Sequence, residues 1–180
     1  MLPITIEGAE YFDEQKQEFI QIKGTRLQLE HSLVSISKWE SIWHKSFLDN
    51  IDKLTPDELI SYVECMNMTQ NVNPDVFKHL SVKNFQDIMD YIQNPMTATT
   101  ITDRSPNQSH KKKIITSELI YSWMFSQGIP KECEKWHLNR LMMLIRVCAI
   151  NNALPKKMSK AEAMNQHRAD MAKARAKYKR

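Results

Sequence analysis

The sequence is poor in the residues that build phosphate-binding loops and disulfide frameworks. Only 3 of its 180 residues are glycine, so we expect no glycine-rich phosphate loop. The three cysteines, Cys65, Cys133 and Cys148, are odd in number and far apart in the chain. That pattern argues against a disulfide framework and favours a reducing compartment.

Long apolar segments are missing as well. No run approaches the roughly 20 apolar residues that span a bilayer, and the acidic start MLPITIEGAEYFDEQ lacks the basic and apolar regions of a signal peptide. We therefore expect a chain that neither binds a membrane nor is exported by a signal peptide. Its length suits one compact domain of roughly 150 residues followed by a tail.

What the chain does have is an uneven distribution of charge. Residues 155–180 contain nine Lys or Arg against only Glu162 and Asp170, a net charge of +7. Because the whole chain carries +4, the preceding 154 residues carry −3. This difference indicates a compositional boundary, and it predicts a basic tail that binds an acidic partner.

The N-terminal residues 1–31 are predicted to form a small antiparallel sheet of two or three strands. Leu2–Ile6 is short and β-prone, and Glu18–Ile22 and Arg26–Glu30 alternate apolar and polar residues at the period of a strand. The segment Lys23–Thr25 can turn between the last two strands. Tyr11–Gln17 is too polar to assign.

From Ser32 onward the apolar residues recur every three or four positions, which predicts a helical region over residues 32–154. Ser32 or Ser35 would cap the first helix. The clearest helix start is Thr55-Pro-Asp-Glu58, a capping box with proline at the first helical position. The apolar stripe of the first helix comprises Leu33, Ile36, Trp39, Trp43 and Phe47.

Further helix starts are predicted at Asn73, Ser81 and Thr116, and residues 95–113 form the one long polar loop. The longest periodic segment is Lys131–Ile150, where we expect one continuous helix. Four tryptophans lie on helical stripes and are expected in the core: Trp39, Trp43, Trp123 and Trp136. The predicted fold is therefore mainly α, with a small N-terminal antiparallel β-sheet and a basic C-terminal helix.

The basic tail, residues 155–180, is predicted to be helical. Ser159-Lys-Ala-Glu162 is a second capping box, and the residues after it are rich in Ala, Lys and Arg, which favour helix. Its apolar stripe is narrow, so the helix buries little against its own domain, and we expect it to bind a partner. The predicted partner-binding residues are Lys156, Lys157, Lys160, Met164, Arg168, Met171, Arg175 and Tyr178.

No arrangement typical of an enzyme is apparent. Lys157–Lys160 reads KMSK, the core of the ATP-binding loop of class I aminoacyl-tRNA synthetases, but the chain lacks the glycines and the alternating strand–helix pattern of those enzymes. Ser159 already has a structural explanation as a helix cap. Several acidic residues fall in predicted first turns, where the helix dipole explains them: Asp57, Glu58, Glu118 and Glu162. We expect no catalytic residue and no bound cofactor.

Cys133 and His137 are the candidate metal-binding pair. Four residues apart on the predicted helix Lys131–Ile150, they would share one face. A structural zinc site needs four ligands, usually in close pairs, and the other Cys and His residues are scattered. We therefore expect no metal and interpret the pair as a buried Cys beside a partly exposed His.

Nucleic acid is the alternative partner of the basic tail. A +7 segment would bind phosphates weakly and with a steep salt dependence, and Lys111–Lys113 could contribute. However, no base-reading module is visible, and Tyr178 is the only aromatic residue in the tail. A basic helix that binds acidic protein is at least as well supported.

Three stretches of the chain carry a family resemblance: LQLEHSLVSISKWESIWHKSFL, YVECMNMTQNV and ITSELIYSWMFSQGIPKECEKWHLNRLMMLIRVCAINNALPKKMSK. They resemble a family of small proteins encoded in the virion structural gene clusters of tailed bacteriophages and prophages. The similarity extends over nearly the whole chain and is most specific over residues 115–160. The sequence departs from the family's pattern at His44–Ser46 and at Ser126–Gly128.

By gene position and size, members of that family resemble tail-assembly chaperones or minor virion proteins. The resemblance thus implies a non-enzymatic protein of phage assembly, located in the host bacterial cytoplasm during assembly or in the virion. The implied partners are phage structural proteins, such as the tape-measure protein or neighbouring virion subunits. Self-association and a DNA-associated head or packaging role stay open as alternatives.

Overall fold

A computed structural model describes residues 1–13, 17–101 and 114–153, and seven residues further on: Met164, Asn165, His167, Arg168, Asp170, Met171 and Arg175. Within these residues the protein is mainly α-helical with a small antiparallel β structure at its N-terminus, which confirms the predicted fold class. The chain divides into two compact units, Met1–Ala149 and Ile150–Arg180. We call the first unit the body; the second contains the basic tail.

The β structure is a two-stranded ribbon. Its strands are β1 (Leu2–Ile6), β2 (Ala9–Asp13), β3 (Glu18–Ile22) and β4 (Thr25–Leu29). The strands β1 and β4 pair antiparallel, as do β2 and β3. One register runs through both pairs, because Ile6 pairs with Thr25 and Ala9 pairs with Ile22, three residues further along each arm.

This ribbon differs from the predicted sheet in two ways. It includes β2, which was not predicted because the sequence around Tyr11 is polar. Pairing with β3 holds this strand in place. In addition, Lys23–Thr25 does not turn a hairpin, because β3 and β4 follow each other along the same arm. Gly24 allows the two arms to approach closely there, since a Cβ on it would lie 3.3 Å from the backbone nitrogen of Gly8.

Between the ribbon and Asn152, the described residues form six α-helices: α1 (Leu33–Trp43), α2 (Phe47–Asn50), α3 (Pro56–Met66), α4 (Val82–Gln93), α5 (Ser117–Ser126) and α6 (Leu138–Asn152). Three short 3₁₀ helices lie between them: Ile51–Lys53, Pro74–His79 and Lys131–Lys135. The predicted caps at Ser32 and Thr55 are confirmed. The hydroxyl of Ser32 accepts from the amide of Ser35, and Thr55 and Glu58 form both hydrogen bonds of the capping box.

The core lies where α1 packs against α3 and α5. Trp39, Phe47 and Tyr62 are fully buried, and the rings of Phe47 and Tyr62 stack with centroids 3.8 Å apart. Phe47 was predicted on the stripe of the first helix, but α1 ends at Trp43 because His44 adopts a left-handed backbone. The side chain of Phe47 reaches the core from α2 instead.

The predicted continuous helix over Lys131–Ile150 is wrong. The chain forms a 3₁₀ helix to Lys135, becomes extended at Trp136 and starts α6 at Leu138. A tertiary contact produces this break, because the amide of Leu138 donates to the carbonyl of His31 at 2.7 Å. The break leaves Trp136 36% exposed, so its predicted core position is also wrong, whereas Trp39 is fully buried.

Trp43 and Trp123 are half-buried and pack on the edge of the core. Their positions follow from the helical stripes that carry them. The ring of Trp136 instead lies against the guanidinium of Arg140, 4.4 Å from the ring centroid.

Candidate protein-interaction site

Four of the eight predicted partner-binding residues are described by the structure, and all four are exposed on α-helical backbone: Met164, Arg168, Met171 and Arg175. The side chains of Met164 and Met171 are 60% and 47% exposed. The other four, Lys156, Lys157, Lys160 and Tyr178, lie outside the described residues, as do the KMSK segment and the second capping box. The four described residues therefore define the candidate site.

The spacing of these residues brings the two methionines onto one face. An α-helix has 3.6 residues per turn, so in a continuous helix Met164 and Met171, seven residues apart, would be nearly aligned and about 10.5 Å apart along the axis. Arg168 and Arg175 each follow a methionine by four residues and so flank the same face. The sequence predicted both methionines and both arginines as partner-binding residues, and the structure places all four exposed on helical backbone.

Whereas the described arginines of the tail are exposed, the body contains a buried carboxylate. The carboxylate of Glu40 is buried and accepts the backbone amide of Phe47 at 3.0 Å and that of Ser117 at 2.7 Å. It thereby satisfies amides at the first residues of α2 and α5. Sequence reasoning missed this role, although Glu40 follows Ile36 by four residues and hence falls on the buried stripe of α1.

A second buried polar cluster surrounds two histidines. The rings of His31 and His137 meet edge to face with centroids 5.1 Å apart. His31 Nδ1 and the hydroxyl of Tyr62 share a hydrogen bond of 2.5 Å. His137 Nε2 donates to the carbonyl of Tyr91 at 3.0 Å, and its Nδ1 accepts the amide of Asn139 at 3.3 Å. One donor and one acceptor on the ring of His137 correspond to the neutral imidazole.

Burial favours the neutral form of both histidine rings. Burial, followed by the nearby His137, lowers the pKa of His31 to about 3. Burial also lowers the pKa of His137. On the far side, the hydroxyl of Tyr91 donates to Glu30 at 2.8 Å, and burial and this carboxylate raise the pKa of Tyr91. The cluster joins α3, α4 and the start of α6 through internal hydrogen bonds, which is a structural role.

The candidate metal pair is not assembled as the sequence predicted. Cys133 lies on the 3₁₀ helix and His137 beyond the extended residue Trp136, so they share no helical face. His137 is 7% exposed, so the prediction of a partly exposed His is wrong, whereas Cys133 is buried as expected. Within the described ranges, no group of three or more His, Cys, Asp or Glu is positioned to hold a metal ion.

Grooves in the described part of the body include the following two. One, of about 550 Å³, lies between β1 and the start of α4, and its lining carries both charge signs through Glu7, Lys83 and Asp87. The other, of about 520 Å³, is mainly apolar and is lined by Trp123 of α5 and by Met142 and Met143 of α6. Neither includes a predicted partner-binding residue, and no sequence signal indicated them because their walls come from distant elements.

Comparison with known proteins gives no relative for this chain. No family model matches it, and no curated protein or solved structure gives a significant match. None of the described helices is long and apolar enough to cross a membrane. The exposed residues of the tail therefore carry the functional argument.

Proposed function

We propose that the protein is a non-enzymatic component of bacteriophage morphogenesis that acts like a tail-assembly chaperone. In this proposal its basic C-terminal helix binds a phage structural protein, such as the tape-measure protein or a neighbouring virion subunit, in the host cytoplasm. A minor virion protein that stays in the mature particle is the close variant of the same proposal.

One observation carries the proposal: two methionines of the tail are exposed on helical backbone and flanked by arginines. Burying these two apolar side chains against a partner would lower the free energy, and their arginine neighbours would favour a partner with negative charge. The body supports the proposal indirectly, since its buried carboxylates and histidines are satisfied within the body itself. The resemblance to phage proteins supplies the biological setting.

The direct test is deletion of residues 156–180 followed by co-purification with the tape-measure protein and the virion proteins. We expect the deletion to abolish capture of at least one of them. A matched variant with Lys111–Lys113 changed to Ser removes positive charge outside the tail and should keep the capture. Unchanged capture of every partner by the deletion variant would contradict the proposal.

The tail charge of +7 favours one alternative, a DNA-associated head or packaging factor. Binding to duplex DNA across a salt series separates the two functions. If the tail neutralises several phosphates, the logarithm of the association constant should fall with the logarithm of salt at a slope of about −0.9 per phosphate. Absence of DNA binding at about 50 mM salt, where such contacts are strongest, removes this alternative.

The neighbouring genes and mass spectrometry of purified particles distinguish the two variants of the main proposal. A chaperone-like protein is expected beside the tape-measure gene and absent from the particle. A minor virion protein is expected in the particle itself.

A further inference from the structure

We propose that the tail helix binds a partner helix whose apolar seam is flanked by carboxylates, and that the partner is not a second copy of this chain. The inference deepens the proposed function, on which it rests, by naming the chemistry of the partner. Its basis is the exposure of Met164, Met171, Arg168 and Arg175 on helical backbone, at spacings that a continuous helix would place on one face.

The spacing of the face fits a helical partner. Apolar residues that repeat every seven positions form a narrow seam that stays in contact with a second helix over successive turns. Met164 and Met171 have this spacing, and Tyr178 continues it in the sequence. Methionine is flexible and polarisable, so it adapts to partners of different shape. A narrow seam of this kind is matched by the apolar stripe of another helix.

The charges beside the seam select the partner. Arg168 and Arg175 occupy equivalent positions in successive heptads, next to the apolar positions that face the partner. Charged residues at such positions pair across the two helices and decide which helices associate. Because the two arginines are seven residues apart, the complementary partner helix has Glu or Asp residues that are also seven residues apart.

A second copy of the chain fits this face poorly. By heptad spacing in the sequence, Asp170 and Lys177 fall on the other flank of the seam, so a parallel pair of tails gains attraction between Asp170 and Arg175. Arg168 would face the uncharged Ala163 and gain no ion pair, and each tail carries +7 over 26 residues. Like charges in contact disfavour association. An acidic helix relieves this repulsion, whereas a second basic tail increases it.

The seam is short, which determines how the binding should behave. By heptad spacing in the sequence, the other seam positions are His167 and Ala174, whose side chains offer little apolar surface. We therefore expect the flanking charges to contribute a large share of the affinity, so that binding weakens as salt rises.

The test uses the full-length protein and a fluorescent synthetic peptide of four heptads, with Leu at both seam positions and Glu at both flanks. We expect saturable binding in fluorescence anisotropy, weakened by salt. Two control peptides are a scramble of the same composition and a heptad peptide with Lys at the flanks, and neither should bind. If the scrambled peptide binds as tightly as the heptad peptide with Glu at the flanks, the inference of a helical seam is contradicted.

Two matched pairs of variants distinguish binding at the seam from a general attraction of the acidic peptide to a positively charged tail. The pair Arg168→Glu and Arg175→Glu reverses charge beside the seam and should weaken binding of the peptide by about tenfold or more. The pair Lys173→Glu and Lys179→Glu makes the same charge change away from the seam and should weaken it by no more than about threefold. Equal effects of the two pairs overturn the inference.

Two further readouts complete the test. The double variant Met164→Ser and Met171→Ser keeps every charge. It should also weaken binding of the acidic peptide by about tenfold, because the apolar contact is lost. Light scattering should give a monomer, and a tail-dependent dimer overturns the exclusion of a second copy. If the acidic peptide does not bind while deletion of residues 156–180 still abolishes partner capture, the inference about the partner helix is contradicted and the proposed function stands. If the peptide binds while capture is unchanged, the proposed function falls.

Discussion

Met124 in α5 and Met171 in the tail place the same side chain in opposite surroundings. Met124 is fully buried in the core, whereas Met171 is 47% exposed on a helical face. The charged groups differ in the same way, because the buried carboxylate of Glu40 accepts two backbone amides, whereas Arg168 and Arg175 are exposed. Met124 and Glu40 thus stabilise the body from within, whereas the described methionines and arginines of the tail are exposed.

This difference indicates that the body provides stability and that the tail provides a binding surface. In the body, burial is accompanied by internal partners, as the hydrogen bond from Trp39 Nε1 to the carbonyl of Glu58 illustrates. Substitutions there should lower the free energy of unfolding. In the tail, exposed side chains should matter for binding and little for stability. Each experiment below tests one side of this comparison, in order of decreasing expected effect.

The largest effect is expected for Glu40→Ala. The change leaves the buried amides of Phe47 and Ser117 without their acceptor, at the first residues of two helices. We expect a loss of about 4 kcal/mol in the free energy of unfolding, measured by urea titration. Glu40→Gln keeps one acceptor oxygen and should lose about half as much. The exposed Glu132→Ala is the control, and an equal loss there would contradict the role of Glu40.

Met124→Ala should have the next largest effect. The side chain is fully buried, so truncation leaves a cavity and should lower the free energy of unfolding by about 3 kcal/mol. The control is Met68→Ala, since Met68 is 54% exposed in the same unit and should change stability by less than about 0.5 kcal/mol. A similar loss for both variants would show that burial does not explain the cost.

Acid should destabilise the body through its histidine cluster. The pKa of His31 is lowered to about 3 in the folded protein, against about 6.5 when unfolded. The neutral ring is favoured on folding, so this stability is complete above pH 6.5 and is lost as pH falls towards 3. Between pH 7.5 and pH 4.5 the loss should be about 2 to 3 kcal/mol, measured by urea unfolding across that range.

His137 acts in the same direction, because burial lowers its pKa too. Hydrogen bonds lower the pKa values of Glu58 and Glu118 in the folded protein, so the stability that these two groups contribute is present above their unfolded pKa and is lost as pH falls below it. A variant with His31→Gln should unfold more easily at pH 7.5 and show a smaller change down to pH 4.5. An unchanged pH dependence in that variant would mean that other groups cause the acid lability.

Local signals in the sequence predicted much of the fold. The capping box of Thr55 and Glu58 and the cap at Ser81 depend on residues three positions apart, so the sequence contains both partners. The break before α6 and the role of Glu40 depend on contacts between distant segments, such as the pair Glu40 and Ser117, 77 residues apart. Helical periodicity alone could not reveal them.

The candidate site was predicted in part for the same reason. The stripe of Met164 and Met171 is a local pattern, and the net charge of residues 155–180 is a matter of composition. That these residues bind a partner stays a prediction, because binding depends on a second molecule. The buried histidine cluster was not predicted, since His31, Tyr62 and His137 are brought together only by the fold.

The smallest effect on stability is expected for Met164→Ala combined with Met171→Ala. Both side chains are largely exposed, so truncation should change the free energy of unfolding by less than about 0.5 kcal/mol. Urea unfolding followed by tryptophan fluorescence is a suitable measurement, because all four tryptophans lie in the body. A loss of about 1 kcal/mol or more would mean that this face packs within the isolated protein. It would then be unavailable to a partner, and the proposed function would lose its main support.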